Sequence, residues 1–290
     1  MTRREALLST AAALAAPAVV RGTLKQSLCS WCFIGRGPKW TLDELCTQAN
    51  ALGVPSVELV GAADFPTLAK HDLKCAIAGV GSSFHIGFNN LTHRDELVAR
   101  TKKAIDACAA AKFPSVIGFV GMKWQKPMDD TSGEIARDDA FKNCVDGLKL
   151  VAPYAEKAGV TLCVEHLNSR DGSDPMTGHP GYQGDDLDFV ASILRKVASP
   201  RVKLLFDVYH VQIMHGDLIR RLDECKDLLG HIHTAGVPGR HELDDAQEIH
   251  YPAVMKKLAA LKYDGYVGHE FIPTRDAVAG LRQAVALCDV

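Results

Sequence analysis

The sequence predicts an α/β protein built as one closed (β/α)8 barrel, on three observations. From Lys25 onward, short apolar runs alternate with longer segments of helical period, eight times over. No Ser/Pro-rich linker or break in composition divides that stretch. No glycine-rich dinucleotide loop follows an early strand, which disfavours a doubly wound open sheet. With 290 residues, 47% of them apolar, the chain is long enough to bury such a core in one domain.

Taken in order, Met1–Gly22 stands apart. Arg3-Arg4 precede the Ala/Leu-rich run Ala6–Val20, with no acid after Glu5. This resembles a twin-arginine export signal and places the protein in the periplasm. A helical N-terminal extension on a cytoplasmic protein is the alternative. The barrel then occupies residues 23–290. Its expected strands are Ser27–Phe33, Ser56–Val60, Cys75–Val80, Val116–Val120, Val160–Glu165, Val202–Asp207, Leu229–His233 and Tyr266–Glu270. Its expected helices are Leu42–Leu52, Phe65–Ala69, Arg94–Ala111, Ala136–Ala158, Leu187–Val197, Leu218–Cys225, Ala253–Leu261 and Asp276–Leu287. Gly53 and Gly159 mark two helix exits, where a left-handed residue ends the helix without a Cβ penalty.

The formal charge of −2 gives no broad electrostatic reason to bind nucleic acid. No run of about twenty apolar residues follows the N-terminal segment, so no internal membrane span is expected. Nine cysteines, an odd number, lie mostly inside apolar runs, which is the usage of buried thiols. Cys29 and Cys32 form a C-x-x-C. On a strand these side chains point to opposite faces, so a structural role is expected.

Four strand-like runs of the C-terminal half end in a metal-competent side chain: Glu165, Asp207, His233 and Glu270. Alone, Asp207 also reads as a helix cap. In a (β/α)8 barrel, however, the ends of consecutive strands converge on one mouth. Acids brought together there destabilise one another without a cation. Three carboxylates and one imidazole are hard ligands that suit one divalent ion, Mn²⁺, Mg²⁺ or Co²⁺. Such an ion, holding a carbonyl and a neighbouring hydroxyl, eases removal of the C–H proton between them. Glu165 and Glu270 each retain a second oxygen to take or return that proton.

Longer motifs carry a resemblance. V-E-H-L-N at Val164–Asn168, F-D-V-Y-H at Phe206–His210 and H-I-H-T-A-G-V-P-G-R-H-E at His231–Glu242 resemble the hydroxypyruvate isomerase family. E-I-H-Y-P at Glu248–Pro252 and D-G-Y-V-G-H-E at Asp264–Glu270 extend the match, which covers about Val160 to Leu281. That family belongs to the xylose-isomerase-like TIM barrels, together with the ketose 3-epimerases. The resemblance implies that Glu165 and Glu270 are both metal ligands and the catalytic pair. Asp207 and His233 would complete the metal shell, and His210 and Arg240 would bind substrate oxygens. Homodimers or homotetramers are common in the superfamily. His233 stands where hydroxypyruvate isomerases usually carry glutamine and ketose epimerases histidine. The loop Ser169–Gly184 also differs from the short-substrate enzymes.

The expected activity is a metal-dependent isomerase or epimerase of a small keto acid or ketose, by proton transfer through an enediolate. A dehydratase of a keto-inositol or 3-keto sugar begins with the same proton abstraction. An endonuclease-like phosphodiesterase and a non-catalytic sugar-binding protein are the other readings of this barrel. His85, after the third strand, faces the metal from across the barrel or is a polar loop residue. Trp31 and Phe33 wall the pocket or pack in the core. Lys123 and Trp124 fit the rim. Glu242 and Glu248 orient site residues or are surface acids, while His166 and His269 should point away from the barrel axis.

Overall fold

The computed structural model describes Val20 and residues 22–290. The export-signal reading of residues 1–22 therefore lies outside the described residues, save for Val20 and Gly22. In chain order the strands are β1 (Lys25–Cys29), β2 (Val57–Glu58), β3 (Ser115–Phe119), β4 (Trp124–Lys126), β5 (Asp129–Glu134), β6 (Thr161–Glu165), β7 (Val202–Asp207), β8 (Leu229–Thr234) and β9 (Tyr266–His269). Seven of them form one parallel sheet in the order β2-β1-β9-β8-β7-β6-β3. Residues 74–78 close it, pairing Ser56 with Lys74 on the β2 side and Ala78 with Val116 of β3. The result is the expected (β/α)8 barrel, with one stave irregular.

That stave corrects the expected strand Cys75–Val80. Two serine hydroxyls take backbone groups that a regular ladder would use. Ser115 Oγ donates to the Ala76 carbonyl at 2.6 Å, and Ala76 N–H donates to Ser56 Oγ at 2.9 Å. The first strand is corrected as well. It stops at Cys29, and Ser30–Ile34 turns into a short helix that buries Ser30, Cys32 and Phe33. A short apolar run does not declare its period. All nine cysteines are free and buried, as their apolar surroundings imply.

The outer layer follows its amphipathic pattern. In Leu187–Val197 the buried positions Leu187, Val190, Ala191, Leu194 and Val197 recur at helical spacing. Each fully buried leucine or valine there stabilises the packing by about 1.5–3 kcal/mol. Asp186 starts this helix by accepting the N–H groups of Asp188 and Phe189, and its loss costs about 1 kcal/mol of helix stability. Between β3 and β6 the chain adds the antiparallel hairpin β4–β5, which the sequence pattern does not announce. Its sequence, W-Q-K and D-D-T-S-G-E, lacks apolar alternation.

Candidate active site

Parallel register places the site. Glu165 ends β6, Asp207 ends β7 opposite His233 of β8, and Glu270 follows β9 directly. Their ligand atoms all lie within 4.8 Å of one another, and all four residues are buried. The structure thus brings together the four residues expected to hold a metal. Asp207 serves both of its readings. Its Oδ1 caps the helix Val208–Met214 through the N–H groups of Tyr209 (2.8 Å) and His210 (3.3 Å), leaving Oδ2 to the cluster.

His233 stands at the centre. Its Nδ1 lies 2.8 Å from Glu270 Oε2 and 3.4 Å from Glu165 Oε1, without the alignment of an N–H···O bond. On the far side Nε2 is 2.9 Å from Glu58 Oε1. Glu58, at the end of β2, is wholly buried and also meets His231 Nε2 at 3.2 Å. Its carboxylate accepts from His233 Nε2 and so aims Nδ1 at the carboxylates. Against burial, the charges of Glu270, Glu165 and Glu58 hold the ring's proton affinity well above its ordinary value. Sequence reasoning missed Glu58. Gly268 of β9 makes room for this arrangement: a Cβ there would fall 2.0 Å from Glu58 Oε1 and 2.9 Å from His233 Cδ2.

The acids differ in proton affinity. Burial pushes Glu165 up to about 7, with His233 opposing and the Glu270 charge adding to the rise. Burial likewise raises Asp207 to about 6 against the pull of Arg240. Glu270 goes the other way, below the ordinary carboxylate range. Burial is outweighed there by Arg240 and His233, and by Trp31, whose indole donates to Oε1 at 2.8 Å. Glu58 is lowered to about 2 because two imidazoles outweigh its burial. Burial holds His231 below its ordinary value, so it meets Glu58 as a neutral N–H donor.

Arg240 and His210 also enter the site. The Arg240 Nη2 bonds Glu270 Oε2 and lies 3.5 Å from Asp207 Oδ2, while Nη1 donates to the Met176 carbonyl at 2.9 Å. His210 Nδ1 accepts the Asn168 backbone N–H at 3.1 Å, which assigns the proton to Nε2. His85 sits elsewhere: half-buried, bonded to Ser83 Oγ and packed at a tilt against Phe84, it lines an outer cavity and not the carboxylate cluster. Trp124 stands on the rim beside that cavity, and Lys123 pairs with Glu134. Glu242 is buried and ties down the loop after β9 through Thr274 and Arg275; Glu248 bonds Gln212 on the surface. His166 and His269 face away from the cluster, bonded to the Asp185 carbonyl and to Gln26 and Thr234.

Buried polar atoms without partners reveal what the site is built to receive. Around the cluster these are the carboxylate oxygens Glu165 Oε1 and Glu58 Oε2, the ring nitrogen His233 Nδ1, and the donors His210 Nε2 and Arg240 Nε. Unpaired buried polar groups are costly and signal a missing partner. Three clustered carboxylates, one with an orphaned oxygen, and an imidazole nitrogen that becomes a ligand once its proton leaves fit a hard divalent cation. Donors that lack acceptors fit the oxygens of a substrate.

Fold and site together define a parallel α/β barrel with a buried carboxylate–imidazole cluster where its strands end. The chain belongs to the xylose isomerase-like TIM barrel family, whose model matches residues 48–288. Over 137 residues it is 36% identical to the 2-oxo-tetronate isomerase of Cupriavidus necator, covering 47% of this chain and 50% of that one. Over 152 residues it is 29% identical to the hydroxypyruvate isomerase of Escherichia coli, covering 52% and 56%. The matched stretch spans about half the length of these relatives. A crystal structure of an AP endonuclease, family 2, from Brucella melitensis superposes with a TM-score of 0.73 at 23% identity. It covers 89% of this chain and 97% of that one, a likeness of fold.

Proposed function

We propose that the protein is a divalent-metal-dependent isomerase or epimerase acting on a ketose or small keto acid, by proton transfer through an enediolate. The observation that carries this reading is the pair of glutamates flanking His233 Nδ1, one raised to about 7 and one held ionised. A divalent cation bound among Glu165, Asp207, His233 and Glu270 would polarise a substrate carbonyl and offset the negative charge that grows as the proton leaves.

The chain's own groups do the rest. Glu270, kept deprotonated by Arg240, His233 and Trp31, is in the form that can accept a proton, though the same contacts make it the weaker base of the pair. Glu165, with its affinity near neutrality, suits the partner that gives and takes a proton in the same pH range. His210 Nε2–H and Arg240 Nε–H offer bonds to substrate oxygens. The loop after β6 is tied to the site by Arg240 at Met176 and to Arg36 at Asp174 (3.2 Å), and the four cluster side chains are buried from solvent. A dehydratase shares the proton abstraction, so the product distinguishes it.

A phosphodiesterase that gathers several zinc ions needs more imidazoles than the one His233 in the carboxylate cluster, among the described residues. Zinc content well above one per chain would revive that reading. Export to the periplasm is proposed on Arg3-Arg4 and the apolar run after them. The test of activity is NMR of the Mn²⁺-loaded, then Mg²⁺-exchanged, protein in D₂O with ketoses, 3-keto sugars and keto acids. Metal-dependent deuterium uptake beside a carbonyl, with an isomer or epimer appearing, supports the proposal. No uptake on any of them, despite bound metal, contradicts it.

A further inference from the structure

Outside the carboxylate cluster lies a cavity of about 590 Å³, walled by Phe84, Trp124, Met128, Pro175, Met176 and His179. It adjoins the site directly. The Met176 carbonyl bonds Arg240, and the His179 ring lies 5.7 Å from the His210 ring. From His179 the aromatic surface continues outward to Phe84 and then His85, each step 4.0 Å between ring centroids. Trp124 is seated on Gly181, where a Cβ would fall 2.2 Å from the indole and the φ of +89° also favours glycine. Met128, at the tip of the β4–β5 hairpin, is 74% exposed although apolar.

Two properties of this space decide what fits it. Its size lies in the range of roughly 300–1,000 Å³ that encloses drug-sized ligands, whereas a three-carbon keto acid fills a small part of it. Its charge is wrong for an anion. No lysine or arginine is among the described residues lining it, and Asp130 stands at its edge. Inside the site Arg240 Nη2 is engaged with Glu270 and Asp207, which leaves Nε–H as a single donor for a substrate oxygen. Apolar aromatic walls with few polar groups suit a sugar ring, which has an apolar C–H face and hydroxyls at its edge.

We propose that the substrate is an uncharged keto-glycoside. Its keto ring meets the carboxylate cluster, and its second ring or aglycone lies in the outer cavity against Trp124. This inference rests on the metal-dependent proton-transfer reading above and names the substrate class of that same site. The hairpin β4–β5 and the loop carrying Pro175–His179 are then the specificity elements, and Trp124 is the residue that grips the distal ring.

The experiment measures deuterium uptake, with kcat and KM, for three groups of compounds: hydroxypyruvate and 2-oxo-tetronate, free ketoses, and 3-keto-glucosides bearing methyl, phenyl or glucosyl groups. The expected kcat/KM for the phenyl or glucosyl compounds exceeds that for free ketoses by tenfold or more. Trp124→Ala should collapse that ratio through KM, and Trp124→Phe should restore much of it. Fastest turnover of the keto acids overturns the proposal. So does a Trp124→Ala enzyme that loses rate equally on every substrate, which is the mark of a structural role. Absence of uptake on the whole panel by metal-loaded protein instead overturns the underlying reaction. The two failures are therefore distinguishable.

Discussion

The two faces of the His233 ring show opposite solutions to burying acid. On the Nδ1 face Glu165, Asp207 and Glu270 crowd together, with Arg240 as the guanidinium among them. On the Nε2 face one carboxylate, Glu58, is met by two imidazoles and lowered to about 2. On the rear face the chain gives Glu58 Oε1 two imidazole partners and leaves Oε2 without a hydrogen bond. The front face holds three acids, two of them raised, and there Glu165 Oε1 and His233 Nδ1 lack partners. The excess of buried acid lies on the Nδ1 face, where a cation would offset it.

The largest expected effect comes from breaking the front face. Glu270→Gln and Glu165→Gln each remove a proton-transfer group and should lower turnover by on the order of 10²–10⁴-fold. Steady-state rates on the metal-loaded variants check this, with circular dichroism to confirm that the barrel remains. Next comes metal removal. With the metal at about 100 times its dissociation constant, chelation should cost about 2.7 kcal/mol of stability. Urea unfolding of the wild type with and without chelator measures that loss. The Glu165→Gln protein should show less of it.

Breaking the rear face sharpens the comparison, because Glu58 touches no ligand position in front. Glu58→Gln should weaken metal binding by roughly 10–100-fold by loosening the hold on His233. Titration with Mn²⁺ reads that directly, and an unchanged affinity would make Glu58 a packing residue only. Near neutrality the smallest effect is that of pH. In the metal-free protein Glu165 keeps its proton up to about pH 7, and a metal must displace it. Affinity should therefore fall with pH by about tenfold per unit for each proton released. His233 contributes one because its proton affinity is raised, Glu165 another below about pH 7 and Asp207 a third below about pH 6.

The four front-face residues were legible because each closes an apolar run at the same end of its strand, and barrel topology does the rest. Glu58 obeys the same rule yet escaped notice. In S-V-E-L-V the apolar run continues past the acid, whereas in the structure Leu59 already leaves the strand with φ +56°. Trp31 was legible as a pocket or core aromatic but not as a hydrogen-bond donor to Glu270. Its run reads equally well as strand, and only the helix Ser30–Ile34 turns the indole towards Glu270. The outer cavity had no signature of its own. It arises where His85 and His179, from two separate loops, meet Trp124 at the start of β4.

The most direct test of the account is calorimetric titration of the chelated protein with Mn²⁺, beside Asp207→Asn and Glu165→Gln. The account expects one site per chain in the wild type, with binding strongly weakened in both variants. Saturable binding that neither substitution disturbs, or no binding at all, would contradict it.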